Sequence, residues 1–271
     1  MHNYADTIRS LQARGVHSVL TQLCDIHGVA KGKLVPLEKL QEWVEGGAGF
    51  AGPSIWGTGL PRMGPRSEYY GRVQPESLQA LPFMPGVARA VCDGFAGGEA
   101  LDTCSRQVLK AAVAQLEARG WRMWVGIEPE FFLLRQVNGV WQVADAQDQL
   151  DKPSYDLKSI HRNGAYLEDM RSTLVHLGFE LQQIDHEDAC GQYEINYRFD
   201  HALAAADRYM LFKLAAHAVA ERHGMVFSAM PKPLAHAPGR WPMRTISWTN
   251  LRTTSSPSTA TRPIWRTCAA R

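Results

Sequence analysis

The stretch Gly126–Leu134, GIEPEFFLL, sets two carboxylates, Glu128 and Glu130, in a run that is otherwise mostly apolar. The run has strand composition, and alternation along a strand puts both glutamates on one face. Burying a carboxylate without a partner costs enough to shift its pKa or expel it. Taken alone, an E-x-E pattern more often marks a solvated face. Here Phe131, Phe132, Leu133 and Leu134 follow directly, which argues against an exposed setting. Pro129 between the glutamates cannot donate to a ladder, which predicts an irregular or edge position where a site can form.

A second acidic pair lies downstream. FELQQIDHE (179–187) and GQYEINYRF (191–199) read as strands joined by the short connection EDACGQYE (187–194). Pairing of the two as a hairpin brings Glu187 and Glu194 together. In the second strand Tyr193, Ile195, Tyr197 and Phe199 share one face, while Gln192, Glu194, Asn196 and Arg198 share the other. Four converging carboxylates repel one another strongly. No lysine or arginine stands within either acidic motif. The natural compensator is an oxygen-preferring dication, magnesium or manganese, of the kind that also holds nucleotide phosphates.

Helices and strands alternate around these motifs. Residues 5–14 read as a helix stopped by Gly15, and HSVLTQLCDIHG (17–28) as a strand. Residues 45–65 read as a Gly- and Pro-rich loop holding Phe50 and Trp56. CDGFAGGEALD (92–102) reads as a polar turn and domain boundary. A helix capped by Thr103 or Ser105 then carries Val108, Leu109, Ala112, Val113 and Leu116 on one face. WRMWVGIEPEFFLL (121–134) reads as one strand, and NGVWQVAD (138–145) as a turn and a second strand. Residues 160–177 read as a helix, Asp200 as the cap of a long helix over about 203–223, and MVFSAMPKP (225–233) as a last short strand.

The 271 residues are 45% hydrophobic and 21% charged, as in ordinary globular proteins. A net charge of +2 without like-charge blocks predicts neither nucleic-acid nor membrane partners. The N-terminus lacks the basic and apolar regions of a signal peptide, which predicts a cytoplasmic protein. Five cysteines without CxxC spacing predict reduced, mostly buried thiols. GAGFAG (47–52) matches G-x-G-x-x-G but lacks the flanking strand and helix of a dinucleotide site. Ser54 lacks the G-x-S-x-G frame, no H-E-x-x-H is present, His186 reads as a structural histidine, and Trp121 and Trp124 read as core.

GIEPEFFLL, DHEDACGQYEINY, ADRYMLFK and MPKP, in this order and spacing, together with DIHGVAKGKLVP and PESLQALPF, resemble the glutamine synthetase family. The wording is most similar to its type III and γ-glutamylmethylamide synthetase branch. The resemblance runs from the first strand to Gly239 and implies an α+β fold. That fold has a β-grasp-like domain over 1–101 and part of a catalytic domain over 102–239, with a curved antiparallel sheet and flanking helices. It implies ATP-dependent ligation of ammonia or an amine to glutamate through a γ-glutamyl phosphate, and two magnesium or manganese ions. Glu130, Glu187 and Glu194 would hold the ion facing glutamate, and Glu128 the ion on ATP. Glu187 is also the catalytic candidate. A ring-shaped homo-oligomer is implied as well.

The sequence departs from the family twice. Where much of the family has an aspartate that binds ammonium at a neighbouring subunit's site, FAGPSIW (50–56) has Ala51, followed by Ser54. An alanine leaves room for an alkyl group, which points to methylamine or another amine, a polyamine among them. After KPLAHAPG (232–239) the family's glycine-rich turn and metal-binding histidine do not follow. Residues 240–271 are rich in Arg, Thr and Ser and contain no His, Asp or Glu. One codon choice for Met243–Ile246 read in a shifted frame encodes Ala-His-His, so the tail reads as out of frame. On this reading the chain is an inactive, C-terminally truncated member, or a fragment that associates with intact subunits.

Overall fold

The computed structural model describes residues 4–234 and the backbone of 247–253. The chain divides into two compact units between Gln115 and Leu116.

The first unit opens with α1 (Ala5–Ala13) and the hairpin β1 (Ser18–Cys24) and β2 (Ala30–Pro36), followed by α2 (Leu40–Glu45). Strands β3 (Ala48–Ala51), β4 (Glu68–Val73), β5 (Gln79–Ala80), β6 (Val87–Ala96) and β7 (Glu99–Ala100) complete it. Its sheet runs β2-β1-β6-β4-β3, with β5 and β7 also on β6. The β1–β6 pair is parallel and the other pairs are antiparallel. Leu11, Val19, Leu37, Leu40, Val73 and Ala88 fill the core on the helical side.

Two expectations change here. Residues 48–51, read within a loop, form β3. Cys92–Ala96, read as a polar turn, is the end of the buried strand β6. Asp93 misled that reading, because it is a buried carboxylate paired with Arg106 and Lys110. Those cations belong to α3 (Ser105–Glu117), none of whose residues is buried. Thr103, read as a possible cap, donates its hydroxyl to the Thr58 carbonyl at 2.8 Å.

In the second unit, β8 (Trp121–Ile127), β9 (Glu130–Val137) and β10 (Val140–Val143) precede α4 (Leu157–Arg162) and α5 (Gly164–His176). Then come β11 (Leu181–His186), β12 (Gln192–Tyr197), β13 (Asp200–His201), α6 (Ala202–Arg222), β14 (Val226–Ser228) and β15 (Ser247–Thr253). One antiparallel sheet runs β10-β9-β12-β11 with β14 on β9, and a second runs β13-β8-β15. GIEPEFFLL is therefore not one strand. It leaves the smaller sheet at Ile127 and enters the larger at Glu130, with Glu128 and Pro129 forming the corner. Proline has no N–H for a ladder, so the break falls where the strand reading is weakest.

One face of the larger sheet carries the core. Phe131 is fully buried and touches the rings of Tyr166, Tyr193, Phe212 and Phe227 at centroid distances of 5.3 to 6.2 Å. The helix expected over 160–177 is two helices meeting at Asn163, whose Nδ2 donates to Tyr193 Oη at 2.7 Å. Asp200 is not the cap of α6; its carboxylate pairs with Arg208 at 3.2 Å. Trp121 is 43% exposed rather than core, and Trp124 stacks on His201 at 3.9 Å. Cys24, Cys92, Cys104 and Cys190 are free thiols, the last three buried. Residues 247–253, read as part of an aberrant tail, pair antiparallel along β8. The rest of 240–271, with Met243–Ile246 and Cys268, lies outside the described residues. Among the described residues no helix is long and apolar enough to cross a membrane.

Candidate functional site

The face of the larger sheet opposite Phe131 carries a row of carboxylates beside the buried Phe132 and Leu134, and strand register builds it. Glu194 stands at the centre on β12, opposite Glu130 on β9 and opposite Asp185 on β11. Directly opposed residues in an antiparallel pair have Cβ atoms about 4.5–5.5 Å apart. Three carboxylates therefore cross three strands in a row. Glu187 follows two residues after Asp185, and its N–H donates to the Gln192 carbonyl at 2.9 Å, which closes the hairpin. Oxygens of Asp185, Glu187 and Glu194 all lie within 4.8 Å of one another.

Amides set these carboxylates in place. Gln192 Nε2 donates to Glu130 Oε2 at 2.6 Å, while its Oε1 accepts the Ala189 N–H at 3.1 Å. Asn196 Nδ2 donates to Glu194 Oε1 at 2.6 Å. Gln183 Nε2 approaches Asp185 Oδ1 at 3.4 Å. Among the described residues, Asp185, Glu187 and Glu194 form no ion pair with lysine or arginine.

The electrostatics follow. Burial pushes the Glu194 carboxyl up to about 8, despite the Asn196 hydrogen bond, and Glu187, Glu128 and Asp185 add to the rise. Burial and the neighbouring Asp185 raise Glu187. Burial and Glu128 raise Asp185 against the hydrogen bond from Gln183. Glu128, at the β8–β9 corner, thus acts on both central carboxylates. Proteins carry several carboxylates in one half-buried patch at a cost that a dication removes. The donor set, all hard oxygen over a span one ion can bridge, fits magnesium or manganese.

Sequence reasoning brought Glu187 and Glu194 together, and the structure places them in one cluster. Glu130 joins by register, and Glu128 by its electrostatic reach from the corner rather than by strand alternation. Asp185 was missed, although D-x-E over 185–187 has the spacing of E-x-E over 128–130. His186 is structural, as read, and fully buried between Asp148 and the hairpin. Ala51 and Ser54 are exposed and belong to the first unit, so they lie outside this cluster's unit.

Comparison with known proteins agrees with this architecture. The family described as "Glutamine synthetase, catalytic domain" matches residues 102–241. The chain is similar to "Glutamate--methylamine ligase" of Methyloversatilis universalis, with 44% identity over 84% of this chain and 52% of that protein. It is also similar to "Glutamine synthetase" of Rhizobium meliloti, with 33% identity over 81% of this chain and 49% of that protein. Among solved structures, a GmaS/ADP complex matches with a TM-score of 0.84 at 33% identity, over 95% of this chain and 57% of that one. The chain thus spans about half the length of the curated relatives it matches. By the family match and the fold together, the chain belongs to the glutamine synthetase family.

Proposed function

We propose that this chain carries the metal-binding carboxylates of an ATP-dependent ligase that joins an amine to the γ-carboxylate of glutamate. The observation that carries the reading is the convergence of Asp185, Glu187 and Glu194 on one sheet face, with Glu130 beside them in register. In this reading Glu130, Glu187 and Glu194 hold the ion facing glutamate, and Glu128, set apart at the corner, holds the ion on the ATP phosphates. Bound dications supply charge neutralisation for phosphoryl transfer to glutamate. The chain's own residues fix where that charge sits. The amides of Gln192 and Asn196 orient Glu130 and Glu194, and the hairpin turn presents Glu187. The amine then displaces phosphate from the activated γ-carboxyl, and in this reading Glu187 is the catalytic candidate.

Methylamine is the favoured amine. The ligase of Methyloversatilis universalis supports it, and so does Ala51, which offers an ammonium ion no charge. The domain limits 1–101 and 102–239, a ring-shaped homo-oligomer and a cytoplasmic location belong to the same reading. The test has two parts. Manganese titration of the 271-residue chain should show binding that E187Q and E194Q abolish. A protein extended to the relatives' full length should form γ-glutamylmethylamide faster than glutamine; a strong preference for ammonia refutes the methylamine assignment. Co-purification of the short chain with full-length subunits, without turnover of its own, would instead identify it as an associating fragment.

A further inference from the structure

We propose that Asp185 is a direct ligand of the dication held by Glu187 and Glu194, and that Asn196 Oδ1 accepts a hydrogen bond from that ion's water. The inference rests on the metal reading above and goes beyond its ligand set. Asp185 directly opposes Glu194 across the β11–β12 pair. Like charges in that relation destabilise a sheet unless a cation lies between them. Its carboxylate comes within the same 4.8 Å span as Glu187 and Glu194. Glu130, in contrast, is engaged by Gln192 at 2.6 Å.

Asn196 gives an independent sign of a ligand. It is 9% exposed and lies two residues from Glu194 on the same face of β12. Its Nδ2 is committed to Glu194, and its Oδ1 is buried without a hydrogen-bond partner. A buried acceptor left unsatisfied costs stability. The same amide cannot turn over, because its oxygen would then face the carboxylate. A donor supplied with the ion, a water in its coordination shell, satisfies it.

The experiment is a manganese titration of the full 271-residue chain, reading free ion by electron paramagnetic resonance, for wild type, D185N and N196L. Each variant is also melted in EDTA and in excess manganese. Losing a ligand or an outer partner of a metal weakens binding by about tenfold to a hundredfold. D185N should therefore bind manganese at least about tenfold more weakly, melt no lower than wild type in EDTA, and gain less from manganese. N196L should weaken binding by about tenfold. D185N with wild-type affinity, or with a lower melting temperature in EDTA, overturns the role of Asp185. N196L with wild-type affinity overturns that of Asn196. A wild-type chain that takes up no manganese sinks the metal reading itself, an outcome separate from the other two.

Discussion

His186 Nε2 lies 2.7 Å from Asp148 Oδ2, and neither side chain is exposed. The other ring nitrogen, Nδ1, faces the Glu187 carbonyl at 2.8 Å, so both nitrogens meet oxygen acceptors. That arrangement fits a doubly protonated ring against a carboxylate. The same Asp148 oxygen accepts the Gly191 N–H, so one acid ties both ends of the hairpin that presents Glu187 and Glu194.

Asp148→Asn should therefore destabilise the fold by about 3 kcal/mol or more, the cost of breaking a buried pair. Urea unfolding at neutral pH checks it. Burial raises the Asp148 carboxyl, but the His186 and Gly191 hydrogen bonds outweigh that and leave it below its ordinary value. Burial lowers His186, but Asp148 reverses this and leaves it raised. The Asp148 contribution is present above its ordinary pKa and fades as pH falls through its depressed one. The His186 contribution is present below its ordinary pKa and fades as pH rises through its elevated one. The wild-type advantage over Asp148→Asn should thus be largest between about pH 4 and 6.5 and shrink on either side.

The acidic cluster predicts an opposite trend with and without metal. Asp185, Glu187 and Glu194 all titrate high in the metal-free chain, Glu194 at about 8. A raised carboxyl favours the fold below its ordinary pKa and loses that contribution as pH rises through the folded value. In EDTA, the melting temperature should fall between about pH 5 and 8. In saturating manganese the fall should vanish, and calorimetry in buffers of different ionisation enthalpy should detect proton release on binding. A flat EDTA profile would contradict the cluster.

Gly191 sits in the hairpin turn with φ +72, and an added Cβ would meet Val143 Cγ1 at 2.5 Å. Its carbonyl also accepts the Leu133 N–H at 2.9 Å. Gly191→Ala should cost about 1–3 kcal/mol from backbone strain and weaken manganese binding by moving Glu187 against Glu194. Denaturant melts and metal titration on one sample separate the two effects.

Phe131→Ala removes the ring shared by the sheet, α5 and α6. The expected loss is about 3–5 kcal/mol. Because the ring lies on the face opposite the carboxylates, metal affinity of the folded fraction should change little. A variant that folds normally but loses manganese would refute this separation of faces.

Much of this arrangement was legible in the residues. The alternation of Gln192–Tyr197 puts Tyr193 beside the core ring of Phe131 and sets Gln192 and Asn196 against the carboxylates of Glu130 and Glu194, with both faces of β12 buried. The hairpin followed from the short connection 187–194. What failed were positions where tertiary pairing overrides local composition. Asp93 reads as turn chemistry until Arg106 and Lys110 reach it across 13 and 17 residues. The β8–β9 break cannot be placed by composition, since Trp121–Leu134 has strand character on both sides of Pro129. Asp148 stands 38 residues from His186, in a stretch with no periodic signal. Asp185 had a signal, its spacing from Glu187, but its meaning depends on register, and register appears only when the strands are paired.

Glu130 is indexed to its neighbours by the ladder, whereas Glu128 hangs from a joint between two sheets. A small pivot of the three-stranded sheet would slide Glu128 past Asp185 and Glu194 while leaving those two mutually still. On the proposed reading, the separation of the ion on ATP from the ion facing glutamate would then be set by how β8 is braced from its flanks.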